Sequence, residues 1–241
     1  NTFVGALAGD GTDDGEGNAA LGYGSLSANC GNDNTAVGSY ALAACTGTKN
    51  TCVGQTAGFQ VTSGSNLTAL GADAARTGSP GGAATTGSNA IYLGDENVTA
   101  AYIQVDWTIS SDERDKTDFV DLDLGLDFVK GLEPVTYYWD KRSKYGDKTA
   151  EDYDLAAQTP DGTHKEDWMD IGFKAQSVQA LEEAAGYKAE DKKNLTVAMS
   201  DDGKQMGLQY NKFVPILVKA VQELSAQVTA LQAEVNTLKG G

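Results

Sequence analysis

No stretch of 18 consecutive apolar residues occurs in this 241-residue chain, so the sequence holds no transmembrane helix and implies no membrane insertion. Basic residues are scarce: 18 Lys and Arg stand against 34 Asp and Glu, a net charge of −16. A surface that is negative throughout repels phosphate backbones and anionic lipid, which argues against nucleic acid as a partner. The same acidity keeps a protein soluble in saline surroundings. Histidine occurs once, as His164 in the polar stretch "TPDGTHKEDW", where it reads as an exposed loop residue rather than a ligand. Cysteine occurs three times, at Cys30, Cys45 and Cys52. An odd count without Cys-x-x-Cys spacing excludes a disulfide framework and a zinc site, and leaves buried free thiols. Neither a metal nor a cofactor is expected. No signal peptide is evident, and the opening at Asn1 is what a piece of a longer chain would show.

What is present divides in two. Residues 1–111 hold 19 of the 29 glycines, nine acids and only two bases, Lys49 and Arg76. Residues 112–241 hold the other 25 acids and 16 bases. A change of composition this sharp, in a chain this long, implies two structural parts.

The first part is a repeat. "NTFVG" at Asn1, "NAALG" at Asn18, "NTAVG" at Asn34 and "NTCVG" at Asn50 are followed by "NLTALG" at Asn66 and "NAIYLG" at Asn89, each with one extra residue. The glycines Gly5, Gly22, Gly38, Gly54, Gly71 and Gly94 are spaced by 17, 16, 16, 17 and 23 residues. A period this short means that each unit is one coil that must stack on its neighbours to bury an apolar face. Asn tolerates left-handed backbone and can ladder from coil to coil, and Gly permits a sharp bend. A helix would place Gly and Asn in every turn, at up to about 1 kcal/mol per Gly, so a β-coil is expected. The cores it offers, Ala36, Val37, Cys52 and Val53, are small. Several chains sharing one axis would bury more than one thin coil can. The pattern resembles the repeats of phage tail fibres and the head repeats of trimeric bacterial adhesins. Loops 72–88 and 95–100 are where such a shaft would touch a host glycan.

The second part reads as α+β. "FVDLDLGLDFVKGL" predicts a helix through Leu122, Leu126 and Val129 that ends near Gly131. "EPVTYYWD" predicts a strand after Pro134, residues 141–167 a long loop, and "WMDIGFKAQ" a strand leading to a helix that closes at Gly186. Asp201-Asp202-Gly203 marks a hairpin. In the last helix, Leu217, Val221, Leu224, Val228, Leu231, Val235 and Leu238 alternate four and three apart, which is a coiled-coil seam. Val alternating with Leu in that seam mildly favours two strands.

The blocks "SDERDK", "GLDFVKGLEPVTYYWD", "IGFKAQSVQALEE" and "LQYNKFVPILVKAVQEL" resemble the C-terminal intramolecular chaperone of phage tail spikes and fibres, the self-cleaving type of endosialidase tail spikes. The resemblance spans residues 108–241. It implies a chaperone that brings three chains into register and then leaves by serine-dependent autoproteolysis. The family pattern Ser-Asp-x-Arg-x-Lys falls on Ser111, Asp112, Arg114 and Lys116, with scission implied between Ser111 and Asp112. Ser111 would be the nucleophile. A lysine can act as its base when burial disfavours the ammonium, which is the role of Lys116. Arg114 would hold the segment or the oxyanion, and Ser110 is an accessory hydroxyl. Asp115 stands where the family more often has an apolar residue, and an acid there favours charged Lys116. A serine attacking its own carbonyl would close a four-membered ring. Attack on the preceding carbonyl, or from a neighbouring chain, has easier geometry, and both remain open at this point.

The expected organisation is a trimeric β-roll or β-helix-like shaft over 1–107, a cleavage junction over 108–118, an α+β chaperone domain over 119–210 and a coiled-coil helix over 211–241. The expected function is that of a virion tail fibre or spike, assembled in the host cytoplasm, whose partners are its own copies and other tail proteins. Its enzymatic activity would be a single Ser–Lys self-cleavage. The alternatives are a host-glycan-binding tip and a trimeric cell-surface adhesin. A glycan-cleaving site would want paired carboxylates on a rigid scaffold. Asp13, Asp14 and Glu16, and the pair Asp95 and Glu96, lie in Gly-rich loops instead.

Overall fold

A computed structural model describes residues 1–148, 150, 152–193 and 195–240. Six three-residue strands, β1 (Thr2–Val4), β2 (Ala19–Leu21), β3 (Thr35–Val37), β4 (Thr51–Val53), β5 (Thr68–Leu70) and β6 (Ile91–Leu93), stack in chain order into one parallel sheet. This is a β-solenoid. Its register places Phe3, Ala20, Ala36, Cys52, Ala69 and Tyr92 in one column, the middle residue of each strand. Side chains alternate along a strand, so the middle residue points in and both flanking residues point out.

Two expectations change here. Val37 and Val53 are not core residues; Val53 is 38% exposed, because it flanks the inward Cys52. Nor do the small inward residues need neighbouring chains to be covered. Ala36, Cys52 and Ala69 are fully buried within one chain, beside Leu26, Leu42, Val61 and Leu67 from the turns. Each of those larger side chains contributes roughly 1.5–3 kcal/mol on burial, and they supply the apolar bulk that the strands lack. Cys30, Cys45 and Cys52 are buried free thiols, and burial pushes the Cys52 thiol up to about 12.

Asparagine forms an internal ladder. The Asn34 amide donates to Asn18 Oδ1 at 2.8 Å, and the Asn50 amide to Asn34 Oδ1 at 3.0 Å. The Nδ2 groups of Asn18, Asn34 and Asn50 donate to the carbonyls of Gly31, Gly47 and Gly64. All three side chains are buried, so these bonds prevent an unsatisfied-group penalty of about 1–3 kcal/mol each. The extra residue in "NLTALG" shifts the alignment: Leu67 takes the buried slot and its amide donates to Asn50 Oδ1 at 3.0 Å. Asn66 moves to the left-handed position that Lys49 holds one coil earlier. The glycine column is required by geometry. Gly38 and Gly54 have φ of +134° and +140°, and a Cβ on Gly38 would run into the Gly54 carbonyl.

The chain forms two compact units, each drawing on separated segments. The first comprises 1–101, 138–169 and 199–206, so the solenoid carries pieces from far along the sequence. The Asp201 amide donates to the Gly81 carbonyl at 3.0 Å, and Asp202 Oδ2 accepts from the Ala83 amide at 3.1 Å. The Tyr92 hydroxyl donates to the Asp201 carboxylate; burial, then that carboxylate, pushes the hydroxyl well above its ordinary value. Lys148 pairs with the buried Glu96 carboxylate, and Lys141 Nζ donates to the Glu96 carbonyl at 3.1 Å. Loops 72–88 and 95–100 thus each carry contacts to later segments of the same chain. His164 is exposed, edge-on to Tyr145.

The second unit comprises 102–137, 170–198 and 207–241. Its first helix, α1 (Leu126–Gly131), is shorter than the expected one. Leu122, Leu124 and Leu126 recur with period two rather than helical spacing, and Gly125, at φ −135° and ψ −132°, breaks the helix before Leu126. α1 packs on the last helix, where Glu223 Oε2 accepts from the Leu126 amide at 2.7 Å. The strands expected after Pro134 and in "WMDIGFKAQ", β7 (Val135–Tyr138) and β8 (Met169–Gly172), pair with each other, and β9 (Val197–Met199) pairs with β10 (Met206–Leu208) in the expected hairpin. α2 (Ala175–Ala184) carries Glu182, which is 1% exposed and accepts from the Leu195 and Thr196 amides. α3 spans Phe213–Lys239, and only Phe213, Ile216 and Ala220 in it are buried. Among the described residues, no helix is long and apolar enough to cross a membrane.

Candidate functional site: the junction

Residues 102–121 are exposed and lack regular structure, except for one 3-10 turn over Glu113–Asp115. Asp112 starts that turn from extended backbone, and its Oδ1 accepts from the Arg114 amide at 2.9 Å. The same carboxylate holds the Arg114 guanidinium in two bonds, to Nε at 3.0 Å and to Nη2 at 2.6 Å. The Arg114 side chain, then its amide, hold the Asp112 carboxyl below its ordinary value, and Asp112 raises Arg114 in turn. The Lys116 amide closes the turn on the Glu113 carbonyl at 3.1 Å.

The turn reverses the chain, and five residues of separation become a contact. Lys116 Nζ lies 2.6 Å from Ser111 Oγ and 3.2 Å from the Ser111 carbonyl oxygen. A lysine beside a serine hydroxyl is one half of a nucleophile–base pair, and the geometry is within reach of proton transfer. The direction is that of a resting pair: nitrogen donates and the hydroxyl accepts. Both residues are open to water. The 3.2 Å contact also aims the nitrogen at the carbonyl of the Ser111–Asp112 bond.

The remaining expected site residues fall as follows. Arg114 is bound to Asp112 and makes no contact with Ser111 among the described residues. Ser110 is exposed and has no side-chain hydrogen bond there. Lys116 forms no ion pair with Asp115; it turns to Ser111 instead. Leu217, Val221, Leu224, Val228, Leu231, Val235 and Leu238 of α3 are between 45% and 82% exposed, so nothing among the described residues covers this row.

One feature of the junction is absent from the motif reading. Ile103, Val105, Trp107 and Ile109 alternate with Gln104, Asp106, Thr108 and Ser110, immediately before Ser111. Strict alternation is the signal that would have found it.

Residues 111–187 match the family described as chaperone of endosialidase. The finding supports an intramolecular chaperone in the C-terminal part of the chain. The match opens on Ser111 itself and covers about a third of the 241 residues. No curated protein and no solved structure matches the chain.

Proposed function

We propose that this chain is the distal part of a phage tail fibre or spike, whose C-terminal chaperone aligns three copies and then detaches by one Ser111-dependent cut. It would be assembled in the host cytoplasm and carried on the virion beside other tail proteins. The observation that carries the reading is the 2.6 Å contact between Ser111 Oγ and Lys116 Nζ, at the first residue of the family match. Two uncovered apolar tracts support self-association. One is the α3 seam. The other is the outer solenoid column Val4, Leu21, Val37, Val53, Leu70 and Leu93, which follows the strand register.

The cut is best served by a neighbouring copy. Lys116 takes the proton of a serine hydroxyl, and that Oγ attacks the Ser111 carbonyl carbon of an adjacent chain. The C–N bond to Asp112 breaks, and the leaving amine takes the proton back from Lys116. Water then hydrolyses the interchain ester and restores the serine. Each step requires the copies to be assembled and water to be limited, which supplies proximity and a usable base together. Light scattering on the full chain should report three copies; a monomer would contradict the reading.

A glycan contact rests on a separate observation. Tyr23, Tyr40 and Phe59 form an exposed row with ring centroids 5.2 Å and 6.2 Å apart, ended by Arg76 lying 5.3 Å over Phe59. The rings meet edge to face, so a sugar would meet single ring faces and hydroxyls rather than a flat platform. Glycan binding by the cleaved shaft, lost in Tyr23→Ala, would support it. Equal binding by that variant would oppose it.

A further inference from the structure

Residues 102–110 form an alternating tract with no hydrogen-bond partner among the described residues. Ile103 is 52% exposed, Val105 and Trp107 each 73%, and Ile109 66%. Among the described residues, no backbone amide from 102 to 110 donates to another residue. Large apolar side chains at every second position are the signature of a half-buried strand, which needs a surface to cover that side. Among the described residues nothing covers it.

We propose that residues 102–110 are an assembly strand, which packs its apolar side against the same segment of neighbouring copies and thereby excludes water from the Ser111–Lys116 pair. The inference rests on the self-cleaving trimer proposed above. The occupant is another copy of this chain for three reasons. The same compact unit carries a second uncovered apolar tract, the α3 seam, which also calls for copies. Rotational symmetry brings identical segments to the same level, so the same apolar side chains meet around the axis without further specification. Finally, the tract ends at Ser110, so an interface closed over it would cover the serine that follows. Ile103, Val105, Trp107 and Ile109 would face the shared axis, with Gln104, Asp106, Thr108 and Ser110 outward. The strand would then act as the timing element: before assembly Ser111 and Lys116 stand in water, and afterwards in a dry interface.

Two experiments on the full chain test this. In the first, Trp139→Phe and Trp168→Phe leave Trp107 as the only tryptophan, and Ser110→Ala with Ser111→Ala keeps the chain uncut. Trp107 emission should shift to shorter wavelength in assembled protein relative to a chain dissociated by Leu224→Asp and Leu231→Asp. Unchanged emission would overturn the proposal. In the second, Ile103→Ser, Val105→Ser and Trp107→Ser are introduced into the cleavable chain. Cleavage should slow at least tenfold in copies that still assemble through α3, and loss of assembly would equally support the strand. Trimers cut at the wild-type rate would overturn the strand alone. A wild-type chain that is monomeric or uncut would overturn the underlying function instead.

Discussion

Lys116 Nζ donates to Ser111 Oγ at 2.6 Å because Asp112 caps the intervening turn and Lys116 closes it. In the cut proposed above, the group at that place must be able to lose a proton. Lys116→Arg keeps the charge and hydrogen bonding but cannot serve as a base, since guanidinium does not deprotonate in proteins. Lys116→Arg and Lys116→Ala should therefore both assemble and both cut more slowly, by roughly 10²–10⁴-fold, the usual contribution of a general base. Rates from timed denaturing gels check this. A Lys116→Arg chain cut at the normal rate would show that lysine only holds the turn.

Attack from a neighbouring copy makes a separate prediction. When Ser111→Ala and wild-type chains are co-expressed and distinguished by a mass tag, the alanine chain should be cut at its 111–112 bond by wild-type partners. Expressed alone, it should stay whole. Alanine chains that remain intact in mixed assemblies would return the mechanism to attack within one chain.

The α3 seam should decide oligomeric state. Leu224→Asp with Leu231→Asp places carboxylates where apolar contact is expected, at several kcal/mol each if they remained ionised. The variant should be monomeric by light scattering and uncut by mass. α3 itself should remain, because its buried residues Phe213, Ile216 and Ala220 lie at the other end of the helix.

In the solenoid, Asn50→Ala removes the acceptor for the Leu67 amide and the donor for the Gly64 carbonyl, both supplied by a buried side chain. The expected loss is about 2 kcal/mol or more, from stranding buried polar groups. Thermal unfolding of the shaft measures it. Asn66→Ala strands no buried group, since Asn66 is exposed, and should cost only its left-handed backbone, about 1 kcal/mol.

Acid should loosen the 199–206 tip within the first compact unit. Burial works to raise the Asp202 carboxyl, but bonds from the Ser200 hydroxyl and the Ala83 and Lys204 amides hold it below its ordinary value. A depressed folded value gives stability that is complete above the unfolded value of about 3.9 and lost as pH falls through the lower, folded one. Protection from hydrogen exchange at residues 79–84, corrected for the intrinsic rate at each pH, should therefore fall as pH falls below about 4. Asp202→Asn should remove that step.

The shaft was legible in the sequence because its period is short and its glycines recur at places where only glycine fits. The facing of Val37 and Val53 was not, since a three-residue strand centred on Ala36 or Cys52 turns both flanks outward. The slot taken by Leu67 was hidden by an Asn one residue away, at a position where left-handed backbone suits Asn equally well. The α3 helix was plain, as seven aliphatic residues alternate four and three apart without a break. The tie between Asp201 and Tyr92 joins residues 109 apart, beyond any local pattern. At the junction the residue types were readable; that they touch depends on the Asp112 cap, a detail of turn geometry.

The most direct test of the account is the intact mass of the assembled wild-type chain under denaturing conditions. The expected result is two fragments, residues 1–111 and 112–241, together with a single full-length mass from the Ser110→Ala, Ser111→Ala double variant. A full-length wild-type chain in fully formed trimers, or a double variant still cut at this junction, would contradict it.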